Sequence, residues 1–295
     1  RDSEVVMISQ FDRHPWHQAG GLAFGPDGYL YVALGDEGGE YDVHGNGQRI
    51  DRNFFSAILR IDVDEQPGNL PPNPHPAVGG GYLVPRDNPF VHALTHNGQE
   101  LDPRAVRTEF YLTGLRNPFR FAFDPATGDL YLNDVGQAHR EEVNLGLKGA
   151  NYGWPFHEGT FIHENLLPAS TNALRLVPPL AEYGYAGGVA GGGNAVTAGL
   201  LYRGGKFPEL HGAYLLADFW SGRIGLFVPE VGRINQIRAL QERMDILLAR
   251  LQTSTPELRE EQQAWEARDH ALQNGWVTLE PESFSALSGA TLTRQ

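Results

Sequence analysis

His17, Asp36, Arg116 and the acids Asp134, Glu141 and Glu142 are the side chains of this sequence whose types suit chemistry. His17 lies in His17-Gln18-Ala19-Gly20-Gly21, where the glycines let another molecule approach the backbone closely. A neutral imidazole suits a general base, because its reference pKa of about 6.5 lies near operating pH. A loop histidine is also an ordinary polar surface group, and His14 offers the same chemistry. Asp36, in Gly35-Asp36-Glu37-Gly38-Gly39, can orient a histidine, bind a cation or close a turn through local backbone bonds. Arg116, in Gly114-Leu115-Arg116-Asn117-Pro118, carries a planar donor fork suited to a carboxylate, a phosphate or a quinone oxygen. A surface salt bridge is the plain alternative. Asp134-Val135-Gly136-Gln137 with Glu141 and Glu142 offers hard oxygen ligands for calcium, without the EF-hand spacing. Tyr152 and Trp154, in Asn151-Tyr152-Gly153-Trp154-Pro155, read as space fillers between packed sheets.

Other chemistries are excluded. Gly45-Asn46-Gly47-Gln48 is not a phosphate loop, and no dinucleotide fingerprint opens a helix. There is no G-x-S-x-G elbow. Cysteine is absent, which removes disulfides, thiol nucleophiles, thiolate metal sites and covalent c-type haem attachment. The formal net charge of −13 disfavours nonspecific adhesion to nucleic acid or anionic lipid. No apolar run reaches the roughly 18 residues of a membrane-spanning helix. No targeting segment is visible: Arg1 to Glu4 is charged, and Val5 to Ile8 is too short for a signal core. With no initial Met, the chain is expected to have lost a leader or to be a piece of something longer.

What must position these residues is β structure. Among 295 residues there are 36 glycines and 20 prolines, a turn-rich composition, and 41% are hydrophobic, enough for a real core. Leu22 and Phe24 lead into Gly25-Pro26-Asp27-Gly28, and Leu30, Val32 and Leu34 then alternate with Tyr29, Tyr31 and Ala33. That predicts a hairpin. Leu59, Ile61 and Val63 alternate with Arg60, Asp62 and Asp64, which predicts a strand with a wet face. The order recurs at Phe119–Asp134 with a strand at Glu142–Leu147, and more loosely from Leu200 to Val228. Val5 to Phe11 also reads as a strand. Repeated sets of about four antiparallel strands predict an all-β propeller, with a sandwich as the plain alternative. Only about three blades fit before residue 230, whereas propellers close with roughly 4–8. The long loop 65–107, with eight prolines and three histidines, is expected to cover one end. From residue 231 the pattern turns helical, with Leu240, Met244, Leu247, Leu248 and Leu251 on one stripe. A second helix is expected from Thr255-Pro256-Glu257 to Leu272, stopped at Asn274-Gly275. The expected division is a partial propeller at 1–230, a helical linker or hairpin at 231–275, and an unfinished β segment at 276–295.

Several stretches resemble the soluble quinoprotein sugar dehydrogenases. They are HQAGGLAFGPDGYLYVALGDEGG (17–39), GNGQ (45–48), ILRIDVD (58–64), GLRNPFRFAFDPATGDLYLNDVGQ (114–137), EEVNLGLKGANYGWPFHEG (141–159) and GLLYRGGKFPELHGAYLLADFWSGRIGLF (199–227). The group includes glucose, aldose and sorbosone dehydrogenases that use pyrroloquinoline quinone (PQQ). The resemblance implies a six-bladed propeller, here incomplete, with PQQ and a calcium ion (Ca2+) on its axis. It implies oxidation of a sugar's C1 hydroxyl, with electrons passing to an external acceptor such as a cytochrome c or a haem domain. His17 is then the base, Asp36 the acid that orients it, and Arg116 the group that stabilises developing negative charge on the quinone. Arg116, Asn117, Gln48 and Tyr185 fall on the cofactor side. The carbonyls of Gly136 and Gln137 fall where the cofactor's calcium is held, and Glu142 and Tyr152 match a second, structural calcium region. A periplasmic or secreted location follows from the resemblance alone.

The sequence departs from the glucose enzymes at four places. Gly21 stands where they have an arginine, and Tyr41 where some members have a cofactor-contacting glutamine, for which Gln48 is the nearest substitute. Ser221 and Gly222 replace a lysine and an arginine. The tail, AWEARDHALQNGWVTLEPESFSALSGATLTRQ, resembles a domain junction in multidomain secreted bacterial proteins. Two further readings stand beside the dehydrogenase: a non-catalytic propeller that binds carbohydrate or protein, and a calcium-dependent lactonase.

Overall fold

The computed structural model describes residues 3–171, 173–185 and 195–251. Strand β1 (Ala19–Phe24) pairs with β2 (Leu30–Leu34), and β2 with β3 (Ala57–Ile61). A long loop carrying a small hairpin, β4 (Thr95–His96) and β5 (Gln99–Glu100), follows, and β6 (Phe110–Thr113) then adds to β3. The second sheet runs β7 (Arg120–Phe123), β8 (Leu130–Asp134) and β9 (Arg140–Gly146). After the hairpin β10 (His157–Glu158) and β11 (Phe161–Ile162), it is completed by β12 (Ala181–Gly184). The third sheet is β13 (Val196–Leu201), β14 (Tyr214–Asp218) and β15 (Ile224–Phe227). All of these pairings are antiparallel. The described residues therefore form units of three to four strands, the arrangement propeller blades are made of.

Turn chemistry sets the two leading hairpins. In the first, the Gly28 amide donates to the Gly25 carbonyl at 3.0 Å, with Gly28 at φ +83°, a conformation open to glycine. In the second, the Asp124 carboxylate accepts from the Ala126 amide at 3.0 Å, and its carbonyl accepts from Gly128 at 2.8 Å. Strands β6 and β12 carry no comparable signal. Each has four residues and joins its sheet after a long excursion, so sequence order does not announce it.

The sheets meet through their first strands. β1 packs on β7, and β13 packs on β7 and β8. At β1 the approach is close enough that a Cβ on Gly20 would lie 2.3 Å from the Phe119 carbonyl oxygen. The Arg120 guanidinium donates to the Gly20 carbonyl at 2.9 Å. Between the second and third sheets, Arg203 holds Asp124 through both oxygens at 2.9 and 2.6 Å, and Tyr214 Oη donates to Asn133 at 2.6 Å. Ile58, Leu112, Leu132, Val143, Leu145 and Val196 are buried in the shared core. Each such side chain contributes about 1.5–3 kcal/mol of burial.

Two expectations are corrected. Val5 to Phe11 forms no strand. Among the described residues its one ladder contact is an isolated bridge from Ile8 to Val78, and its backbone bonds run to the irregular loop through Ser9 and Met7. The wet face expected on β3 is dry: Arg60 and Asp62 are buried. The long loop folds over them, and Arg60 donates to Asp87 at 2.8 Å and Asn88 at 2.9 Å while stacking 4.4 Å from the Tyr29 ring centroid.

Helix α1 (Val231–Leu251) returns to the core through Ile234, Ile237 and Leu240, so the buried stripe starts earlier than the sequence suggests. The second expected helix and the expected β segment lie outside the described residues. No helix among the described residues is long and apolar enough to cross a membrane.

Candidate active site

The site is assembled where strand ends of the first two sheets meet the loop after β9. His17 precedes β1 with φ +60°, and Asp36 follows β2. Their side chains meet, with His17 Nδ1 2.7 Å from Asp36 Oδ1. A carboxylate accepts, so Nδ1 carries the proton and Nε2 keeps the lone pair. Among the described residues Nε2 has no hydrogen-bond partner. The His17 side chain is 10% exposed and that of Asp36 is fully buried. Asp36 is held from three further sides. Oδ1 also accepts from the Gly38 amide at 2.9 Å, Oδ2 accepts from Trp154 Nε1 at 2.8 Å, and the carbonyl accepts from Asn46 at 3.0 Å.

Arg116 reaches the same neighbourhood from the loop between β6 and β7. Its carbonyl accepts from the Asp36 amide at 2.8 Å. Its guanidinium lies 5.5 Å from the Trp154 ring centroid. Nη1 donates to the carbonyls of Val135 at 3.0 Å and Gly136 at 2.7 Å, and Nε and Nη2 donate to the Gln137 side chain at 3.2 and 3.1 Å. Asp134 fixes this loop by accepting from the amides of Arg116 at 2.9 Å and Asn117 at 2.6 Å. Asp134 is cross-strand partner to Glu142. Burial raises both carboxyls, and the nearby charges of Asp36 on Asp134 and of Asp134 on Glu142 raise them further. The amides of Arg116 and Asn117 and the Arg116 charge pull Asp134 back down, as Asn144 and the Gly159 amide do Glu142.

Three of the remaining sequence candidates are committed to partners within the protein. The Gln48 amide donates to Asn151 at 3.0 Å and to the Trp154 carbonyl at 2.7 Å, and accepts from Asn97 at 2.8 Å and Asn151 at 2.7 Å. All four of its hydrogen-bonding positions are thus filled. The buried Tyr152 hydroxyl donates to the Leu145 carbonyl at 2.5 Å and accepts from the Leu147 amide at 3.1 Å. Glu142 accepts from the Gly159 amide and from Asn144 at 3.0 Å. Tyr185 lies near the Arg116 loop, where its hydroxyl donates to the Gly136 carbonyl at 3.1 Å.

Sequence reasoning passed over Trp154, Glu158 and His163. Trp154 touches Arg116 and, across more than a hundred residues of chain, Asp36, contacts no local pattern signals. Burial alone would raise Glu158. His163 Nε2, at 3.1 Å, and the amides of Ala138, His139 and Arg140 hold its carboxyl below the usual range instead.

Arg116 is a cationic fork suited to an anionic, quinone-bearing ring. The Val135 and Gly136 carbonyls and the Gln137 amide oxygen form a hard oxygen set, and the Arg116 cation now sits on it. Among the described residues no group of three His, Asp or Glu side chains forms a metal centre.

A model of the glucose/sorbosone dehydrogenase family matches residues 1–246. The chain belongs to that family. Relatives of this glucose/sorbosone dehydrogenase family member include the HIPL1 protein of Arabidopsis thaliana, 35% identical over 214 residues, which are 70% of this chain and 29% of that protein. The aldose sugar dehydrogenase YliI of Escherichia coli is 31% identical over 139 residues, 47% of this chain and 29% of that protein. A solved glucose dehydrogenase superposes with a TM-score of 0.53 at 21% identity, covering 76% of this chain and 54% of that one, a likeness of fold. This chain thus spans less than a third of these relatives' length.

Proposed function

We propose that this chain works in quinone-dependent oxidation of a sugar. In this reaction an aldose C1 hydroxyl and oxidised PQQ give the lactone and reduced PQQ. The observation that carries this reading is the His17 Nδ1–Asp36 Oδ1 bond of 2.7 Å, sheltered from water beside Arg116. His17 Nε2 accepts the C1 hydroxyl proton, and the buried Asp36 carboxylate stabilises the imidazolium that forms. Bound PQQ supplies the two-electron acceptor for the C1 hydride. Arg116, its guanidinium held by Val135, Gly136 and Gln137, offers a fixed positive charge where negative charge develops. Asn117 and Tyr185 stand on the same loop side as Arg116. The carbonyls of Gly136 and Gln137 would hold a calcium ion, with Arg116 releasing Gly136 to do so. Glu142 and Tyr152 mark a second calcium region in the same reading.

The scaffold we propose is a six-bladed propeller to which the three sheets contribute adjacent blades. Two open apolar faces support further blades. On the first sheet Leu22 and Phe24 are 67% and 59% exposed. On the third, Leu200 and Ile224 are 48% and 73% exposed, with Leu215 and Leu226 paired between them. Within the described residues the propeller segment is taken to run to residue 230, with helix α1 after it. The reduced cofactor would pass electrons to an external acceptor, a cytochrome c or a haem domain, in the periplasm or outside the cell.

Titration of the purified chain with PQQ and calcium, followed by dye reduction with a panel of aldoses, tests the reading. Binding with aldose-dependent dye reduction is expected. Absence of both would end the enzyme assignment. A second reading, a carbohydrate-binding propeller without turnover, is favoured by the fully committed Gln48 amide. Glycan binding that persists without quinone would support it.

A further inference from the structure

We infer that Trp154 is a positioning residue that ties the base to the electrostatic side of the site. The inference rests on His17 acting as the base. Trp154 is 2% exposed. Its indole N–H donates to Asp36 Oδ2 at 2.8 Å, which turns Oδ1 toward His17 Nδ1 at 2.7 Å. A carboxylate free to rotate would offer either oxygen to His17 and would fix the imidazole less firmly. With both oxygens engaged, Asp36 enforces the Nδ1–H tautomer and leaves the Nε2 lone pair for a substrate proton. The other side of the relation is the guanidinium of Arg116, 5.5 Å from the indole centroid. A cation at that distance is attracted to the ring face.

Trp154 can hold others because it is itself held. Its amide donates to the Gly114 carbonyl at 2.9 Å, and its carbonyl accepts from Gln48 at 2.7 Å. Asn97 and Asn151 in turn fix Gln48, and the His163 ring packs edge-on at 5.9 Å. A space-filling role requires only the indole's volume. The N–H aimed at a fully buried carboxylate is the feature that volume does not explain.

Trp154→Phe keeps an aromatic face beneath Arg116 and removes the N–H. The test uses the full chain with 15N-labelled histidine and reads the His17 tautomer by NMR without added cofactor. It then measures kcat and KM with PQQ, calcium and an aldose. The wild type is expected to show the Nδ1–H form alone. The variant is expected to show a tautomer mixture and a kcat lower by about 10–100-fold, with KM within about twofold. A variant whose His17 stays more than about nine-tenths Nδ1–H overturns the proposal; any larger loss of that form supports it, since the N–H alone was removed. If the wild type turns over no sugar, the function is lost, but the tautomer measurement still decides the positioning role. Should the variant fail to fold, exchange of the Trp154 indole proton in the wild type replaces it. Protection that disappears in Asp36→Asn supports the link, and exchange as fast as an exposed indole overturns it.

Discussion

The Asp36 amide donates to the Arg116 carbonyl at 2.8 Å, so the end of β2 in the first sheet is bonded to the loop that opens the second. This one bond brings the partner of the base and the cationic fork together without any contact between their side chains. The proposed chemistry depends on that junction and on the scaffold that holds it.

His17→Asn removes the lone-pair nitrogen while keeping a polar side chain of modest size. Sugar-dependent dye reduction is expected to fall by about 10²–10⁴-fold, the range for loss of a general base. PQQ affinity, measured by fluorescence titration, is expected to stay within a few-fold. A variant that keeps full turnover would remove His17 from the mechanism.

Arg116→Lys keeps a positive charge and loses the planar fork. An ammonium cannot span the carbonyls of Val135 and Gly136 and the Gln137 side chain together, as the guanidinium does. Loss of kcat by about 100-fold or more is expected, with weaker PQQ binding. Kinetics indistinguishable from wild type would mean that charge alone suffices.

Gly20→Ala tests the convergence of first strands. The added Cβ would meet the Phe119 carbonyl oxygen at 2.3 Å, and both partners are backbone. Destabilisation of about 1–3 kcal/mol is expected by urea unfolding. Gly205→Ala is the control, because nothing lies within 4 Å of a Cβ there. Its change should stay within about 0.5 kcal/mol.

Arg203 holds the Asp124 carboxyl down at about 2, chiefly through its two hydrogen bonds. A carboxylate with a depressed pKa stabilises the fold above its unfolded value of about 3.9 and loses that contribution as pH falls through its folded value. Arg203→Met should therefore cost about 1.5–3 kcal/mol at pH 7. The difference from wild type should shrink as pH falls from about 4 to 2 and vanish below. A deficit that stays constant with pH would point to lost packing instead.

Local chemistry in the sequence was enough to place the β1–β2 and β7–β8 hairpins, because Asp27, Gly28, Asp124 and Gly128 dictate their turns within a few residues. The third sheet was legible only loosely: its β14 and β15 stretches were placed, but β13 (Val196–Leu201) begins before the Leu200 start expected of it. Residue types alone also put His17, Asp36 and Arg116 forward as chemical candidates, since an imidazole, a carboxylate and a guanidinium have fixed repertoires. Tertiary structure decided the rest. It dried Arg60 by laying a distant loop over β3, added β6 and β12 across long excursions, and turned Gln48 from a free amide into a brace. It also converted Trp154 from filler into the neighbour of both Asp36 and Arg116. The physical reason is range. Turns and periodicity are written in neighbouring residues, whereas burial and hydrogen-bond partners depend on which distant segments the packed sheets bring together.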